Sequence, residues 1–176
     1  FDTISITEEE FLTFSQAIKK SLELQGYLIE IVNMIRGAYH CYIRFPKMLF
    51  ETGLSPFKEE KILIQIDAEA QGVRYESEMT IVNKFDVFTR IPVAPIDVLL
   101  SQKICAAINR KRAKGRDFYD IIFLFAKTNP NFSFLEQKLG IKNMSSLRDS
   151  LLTKCKALDF LELEKDVAPF LFFDKY

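Results

Sequence analysis

Lys103, Asp117 and Asp120 are ionisable residues set beside apolar helical stripes, where a plain core helix would not carry them. They lie in Pro95 to Ala126, PIDVLLSQKICAAINRKRAKGRDFYDIIFLFA, where two helical patterns flank a short basic connection. In the first pattern Ile96, Leu99, Leu100, Ile104 and Ala107 recur at helical spacing and predict a buried stripe, with Lys103 falling within it. In the second, Phe118, Ile121, Ile122 and Phe125 make the apolar face. Asp117 and Asp120 sit three apart on a neighbouring face, so both carboxylates can look in one direction. A lysine and a carboxylate pair beside two core stripes, joined by Arg110, Lys111, Arg112, Lys114 and Arg116, have the form of a site for a polyanion.

The same residues admit a plain structural account. Lys103 can carry its ammonium to the surface from a half-buried position. Arg116 and Asp120, four apart, can pair with each other, and Asp117 suits the positive end of the helix dipole. The basic connection is then a solvated loop.

The elements that must position these residues follow from the rest of the chain. Its 176 residues suffice for one ordinary domain with room for a helical appendage. A hydrophobic content of 48% with 17 Phe and 27% charged residues is that of a soluble globular protein. Net charge is zero, so any contact with nucleic acid must be local. The longest wholly apolar run, Ile121 to Ala126, is far too short to span a bilayer. Cys41, Cys105 and Cys155 form no C-x-x-C pair and read as reduced thiols, which with the lack of a signal peptide predicts a cytoplasmic protein.

Phe1 to Ile6 reads as the tail of a strand, and Thr7 with Glu10 as a capping box opening a helix that buries Phe11, Phe14, Ile18 and Leu22 and ends near Gly26. β-rich runs follow at Tyr27 to Ile35, Tyr39 to Phe50, Lys61 to Ala70 and Glu78 to Ile91, with a hairpin at Gly37. They predict a sheet of at least four strands. Helices occupy the chain from Pro95, including one opened by Ser133 with Glu136 and one between Ser146 and Leu158, and an apolar tail from Asp166 to Tyr176 should dock. This is an α+β order, a sheet followed by a helical half, with residues 1–93 and 94–176 as its two parts. The run Ile62 to Asp67 is nearly continuous apolar and predicts a strand covered on both faces. An aspartate ending such a strand is costly to bury unless paired or metal-bound; the alternative is a strand-end carboxylate facing solvent.

The order LLSQK, basic turn, GRDFYDIIFL resembles the AbiEii-type nucleotidyltransferases, toxins of abortive-infection and type IV toxin–antitoxin systems. Lys103 matches that family's helix lysine, and Arg116-Asp117-Phe118-Tyr119-Asp120 matches its Arg-Asp-x-x-Asp motif. The resemblance implies a polymerase-β-like nucleotidyltransferase sheet and transfer of a nucleoside monophosphate from an NTP to an acceptor such as RNA or tRNA. It also implies a cognate antitoxin as a partner, and Mg²⁺ held by carboxylates, of which Asp67 is the candidate on this chain. Lys103 would contact the triphosphate, Asp117 would orient that lysine or touch the nucleotide, and Arg116 and Asp120 would complete the nucleotide contacts. Arg110, Lys111 and Arg112 could steer an RNA acceptor. Two metals would polarise the α-phosphate and stabilise the departing pyrophosphate.

The family's Gly-Ser and following D-x-D signature is absent from this sequence. The chain opens at Phe1-Asp2 without a methionine, which predicts a fragment whose missing motif lies just upstream; alternatively Asp2 is the second aspartate of the pair. Two other readings stand beside the transferase. One is a Mg²⁺ nuclease, since Asp67-Ala-Glu69-Ala-Gln71 resembles a D…(D/E)-x-K arrangement, with Gln71 where the lysine should be. The other is a catalytically dead protein that only binds a partner. His40 is the only histidine, which excludes His-pair metal sites, and no glycine-rich phosphate loop occurs.

Overall fold

The computed structural model describes residues 6–171, which divide after Arg74 into two compact units. The first strand tail, Asp2, and the end of the tail from residue 172 lie outside the described residues.

In the first unit α1 (Glu8–Leu24) packs on an antiparallel sheet of β1 (Glu30–Arg36), β2 (Ala38–Pro46) and β3 (Lys61–Ala68), ordered β1-β2-β3. The capping box forms as the sequence predicts: Thr7 Oγ1 accepts from the Glu10 amide at 3.2 Å, and Glu10 Oε2 accepts from the Thr7 amide at 2.8 Å. Gly37, at φ +76°, turns β1 into β2 where a side chain would be strained. Alternation on β2 sends Cys41, Ile43 and Phe45 into a core with Phe11, Ile29 and Ala68, while His40, Tyr42 and Arg44 face outward. Between β2 and β3 lies the one-turn helix α2 (Met48–Glu51).

β3 departs from its expected burial. Among the described residues it is an edge strand, and Leu63, on the face away from the core, is 54% exposed rather than covered. The continuous apolar run was misleading because an edge strand needs only one buried face, supplied here by Ile62, Ile66 and Ala68.

In the second unit the stretch expected as one long strand is a hairpin, β4 (Glu78–Lys84) and β5 (Val87–Val93), turned by Phe85 and Asp86 at φ +50° and +62°. Among the described residues a three-stranded sheet and a two-stranded one stand in place of the expected sheet of at least four strands. The helices follow as α3 (Ile96–Asn109), α4 (Gly115–Phe125), α5 (Phe132–Leu139), α6 (Met144–Lys156) and α7 (Phe160–Val167), then a 3₁₀ turn, Ala168–Phe170. Their core gathers Val98, Leu100, Ile104, Ala107, Ile121, Phe134, Leu135 and Leu147.

Asn131 and Asn143, rather than Ser133 and Ser146, cap α5 and α6, each accepting through its side chain from the amide three residues on. An amide oxygen competes well with a hydroxyl at this position, and both asparagines stand one turn ahead of the buried residues. Helix α7 was not anticipated; Asp159 caps it, and Leu163 and Val167 are its buried pair. The architecture is α+β, sheet first and helices after, compatible with a nucleotidyltransferase-like fold.

Candidate functional site

The second unit brings Lys103, Asp117 and Asp120 together. Helix α3 buries Val98, Leu100, Ser101, Ile104, Cys105 and Ala107, so its buried arc is rotated from the expected stripe and leaves Ile96 and Leu99 each 39% exposed. A polar knot fixes this rotation. Ser101 Oγ donates to the Asp97 carbonyl at 2.8 Å and accepts from the Asn131 amide at 2.8 Å, while Asn131 Nδ2 donates to Asp97 Oδ2 at 2.9 Å. Burying Ser101 is tolerable because both its donor and its acceptor are used. Lys103 consequently stands at the edge of the buried arc, not inside it.

Helix α4 is turned as well. Asp117 and Ile121 are its buried residues beyond Gly115, whereas Ile122, expected in the core, is 73% exposed. The buried carboxylate explains the difference, since seating Asp117 inward rotates Ile122 to the solvent side. Asp117 is 2% exposed and answers two cations: Arg110 Nη1 at 2.7 Å from Oδ2, and Lys103 Nζ at 3.7 Å from Oδ1. Lys103 Nζ also lies 2.7 Å from Asp120 Oδ2. Asp120 therefore pairs with Lys103 rather than with Arg116. A buried carboxylate without such partners would be prohibitively desolvated, so the second unit is built around this group of four charges.

Two further elements hold the group in place, through contacts that sequence spacing does not reveal. Lys154 of α6 donates to the carbonyls of Ile108 and Arg110 at 2.9 and 3.0 Å, closing the end of α3 from which Arg110 reaches Asp117. Asp166 of α7 accepts from the Gly115 amide at 3.0 Å, capping α4 from outside its own sequence neighbourhood. Gly115 is required there. A Cβ would overlap the Leu163 carbonyl oxygen and sit 2.7 Å from Val167 Cγ2. Arg110, read from the sequence as part of a loop, is seven residues from Lys103, two turns on, so both cations leave the same side of α3.

The four charges of this group cancel. The local positive surplus comes from Lys111, Arg112 and Arg116, which are exposed and form no ion pair among the described residues. Arg112 and Lys114 also line, with Lys165, Glu162 and Asp166, a cavity of about 290 Å³ beside α7.

Asp67 belongs to the first unit. It ends β3 on the outward face of the sheet, directly opposite His40. Its Oδ1 lies 2.7 Å from His40 Nδ1 and accepts from Gln65 Nε2 at 2.7 Å; these two contacts, His40 first, hold its pKa below the ordinary aspartate range. Its side chain is 57% exposed. These surroundings do not by themselves fit Mg²⁺, which takes six oxygen ligands, mostly carboxylate and water, in near-octahedral array. Among the described residues no group of three or more His, Cys, Asp or Glu converges as a metal site. No helix among the described residues is long and apolar enough to cross a membrane.

The sequence model of the family described as "Nucleotidyl transferase AbiEii toxin, Type IV TA system" matches residues 5–169. Searches of curated proteins and of solved structures found no match. Because the family model covers nearly its whole length, the chain belongs to the AbiEii nucleotidyl transferase toxin family of type IV toxin–antitoxin systems.

Proposed function

We propose that the protein transfers a nucleoside monophosphate from an NTP to an RNA acceptor, tRNA being the natural candidate, and that a cognate antitoxin counteracts it. The observation that carries this reading is the buried Asp117 flanked by Lys103 and Arg110. In the reaction an acceptor oxygen bonds to the α-phosphorus as the α–β bridge breaks and pyrophosphate leaves. Lys103 is proposed to meet the triphosphate as a compact cation that neutralises charge on the departing phosphates. Its side chain is 37% exposed, so it is within reach of a ligand from solvent. Asp117, with Arg110 behind it, orients Lys103; Asp120 sets the outer limit of the lysine's swing, and Arg116 adds charge attractive to the nucleotide. Asp67 remains the proposed Mg²⁺ carboxylate of this chain, although the residues described around it do not complete a magnesium shell.

The test is Lys103→Met in an active preparation, with melting temperature and transfer of labelled NTP onto RNA measured on the same protein. The fold should persist. Asp117 keeps Arg110 at 2.7 Å, and Asp120, 38% exposed, can be rehydrated. Transfer should fall by at least about 100-fold, or about 2.7 kcal/mol of transition-state stabilisation. Lys103→Arg should rescue only partly, because a broad fork does not replace a point charge. Full activity in a folded Lys103→Met protein would end the case for this residue.

A further inference from the structure

We propose that the solvent face of α4 binds the acceptor as single-stranded RNA, with Tyr119 as a base-stacking platform and Arg116 and Lys127 as phosphate contacts. Arg116, Tyr119, Phe123 and Lys127 follow at intervals of three, four and four residues, which places them along one side of the helix and the turn after it. Tyr119 is 49% and Phe123 50% exposed, and both cations are exposed. No hydrogen bond or ring contact engages Tyr119 among the described residues, so its face is open to a planar partner.

The charge on this face is uncompensated. Both acidic residues of α4, Asp117 and Asp120, are matched by Arg110 and Lys103. Arg116 and Lys127 have no carboxylate partner among the described residues; instead the Lys127 ammonium rests 3.7 Å from the centre of the Phe123 ring. A cation held over a ring keeps its full charge and a defined position. An open ring at Tyr119 between cations at either end of the face suits a single strand, whose base can stack while its phosphates meet charge. A duplex is disfavoured because its base faces are already stacked away. The strand's direction is set by the site: Arg116 is four residues from Asp120, so an RNA end placed there lies next to the Lys103 ammonium.

This inference rests on the proposed reading only for the identity of the acceptor. Its test is direct binding, without nucleotide, of a fluorescein-labelled single-stranded RNA 12-mer of mixed sequence, followed by anisotropy over a salt series. Tyr119→Ala should weaken binding at least about fivefold with an unchanged salt slope, the loss of one stacked base. Arg116→Gln and Lys127→Gln should each make the slope of log K against log salt shallower by about 0.7. Phe123→Leu, which keeps apolar bulk while removing the ring under Lys127, should also weaken binding. Circular dichroism on each variant confirms the fold, which these exposed positions should not disturb. Unchanged affinity in Tyr119→Ala and both cation variants would overturn the proposal. So would equal binding of a double-stranded RNA of the same length, or a concentration-dependent dimer that Tyr119→Ala abolishes. Lys103→Met assays transfer and this series assays binding, so either idea can fail while the other stands.

Discussion

Asp117 and its partners show an asymmetry that single substitutions can read. Arg110 is 42% exposed and Asp117 only 2%, so the two ends of the pair are not equivalent. Arg110→Ala leaves a buried carboxylate with Lys103 at 3.7 Å as its remaining partner, and should cost about 1–3 kcal/mol in urea unfolding. Asp117→Asn keeps an acceptor for Arg110 and leaves two cations that water can reach, so it should cost less. The reverse order would mean that the carboxylate, not the arginine, is the residue the core depends on. The cysteines give a second prediction at this scale. Burial pushes the Cys105 thiol up to about 11 and raises that of Cys41, whereas Cys155 is only half-buried. A thiol-reactive chromophore near pH 8 should therefore label Cys155 quickly and the other two only after denaturation. For linkage, a thiol held neutral by the fold contributes stability below its unfolded value of about 9, and that contribution is lost as pH rises toward 11.

At the scale of elements, the contact of α4 with α7 supports the placement of the proposed site from behind. Gly115→Ala would press a methyl group into the Leu163 carbonyl, which cannot rotate aside as a side chain would. The expected cost is about 1–3 kcal/mol, read as a lower melting temperature by several degrees. Asp166→Ala removes the cap on the Gly115 amide and should cost about 1 kcal/mol. Both changes lie outside the charged group, so either should reduce transfer only through the placement of α4. If Gly115→Ala left stability unchanged, the close approach of the two helices would be wrong.

For the whole chain, magnesium is the telling measurement. The described residues offer Asp67, already hydrogen-bonded by His40 and Gln65, and no convergent carboxylate set. A hard cation facing one carboxylate keeps most of its water, so Asp67 with its described neighbours should bind Mg²⁺ weakly. Saturable Mg²⁺ binding in calorimetry, abolished by Asp67→Asn, would show instead that the chain completes a site around this aspartate. Because formal net charge is zero, any salt dependence of RNA binding has to come from the local surplus near α4.

The sequence by itself determined the α+β order, the capping box of α1, the Gly37 hairpin, and the helix pair with Lys103, Asp117 and Asp120. Each of these rests on local signals, such as a cap three residues from its partner, a glycine at positive φ, or carboxylates one turn apart. Tertiary structure decided the rotation of each helix, which half of an apolar run is covered, and who pairs with whom. Ile122 and Leu99 look like core residues by periodicity, yet a buried Asp117 and a buried Ser101 turn them outward. Arg110 reads as a loop cation until Lys154, 44 residues away, closes the end of α3 and aims it at Asp117. Periodicity weighs apolar residues alone, and cannot register that a satisfied polar group may take the buried position. β3 shows the same limit from the other side: its composition suits a central strand, but whether a strand has one neighbour or two is set by distant pairing.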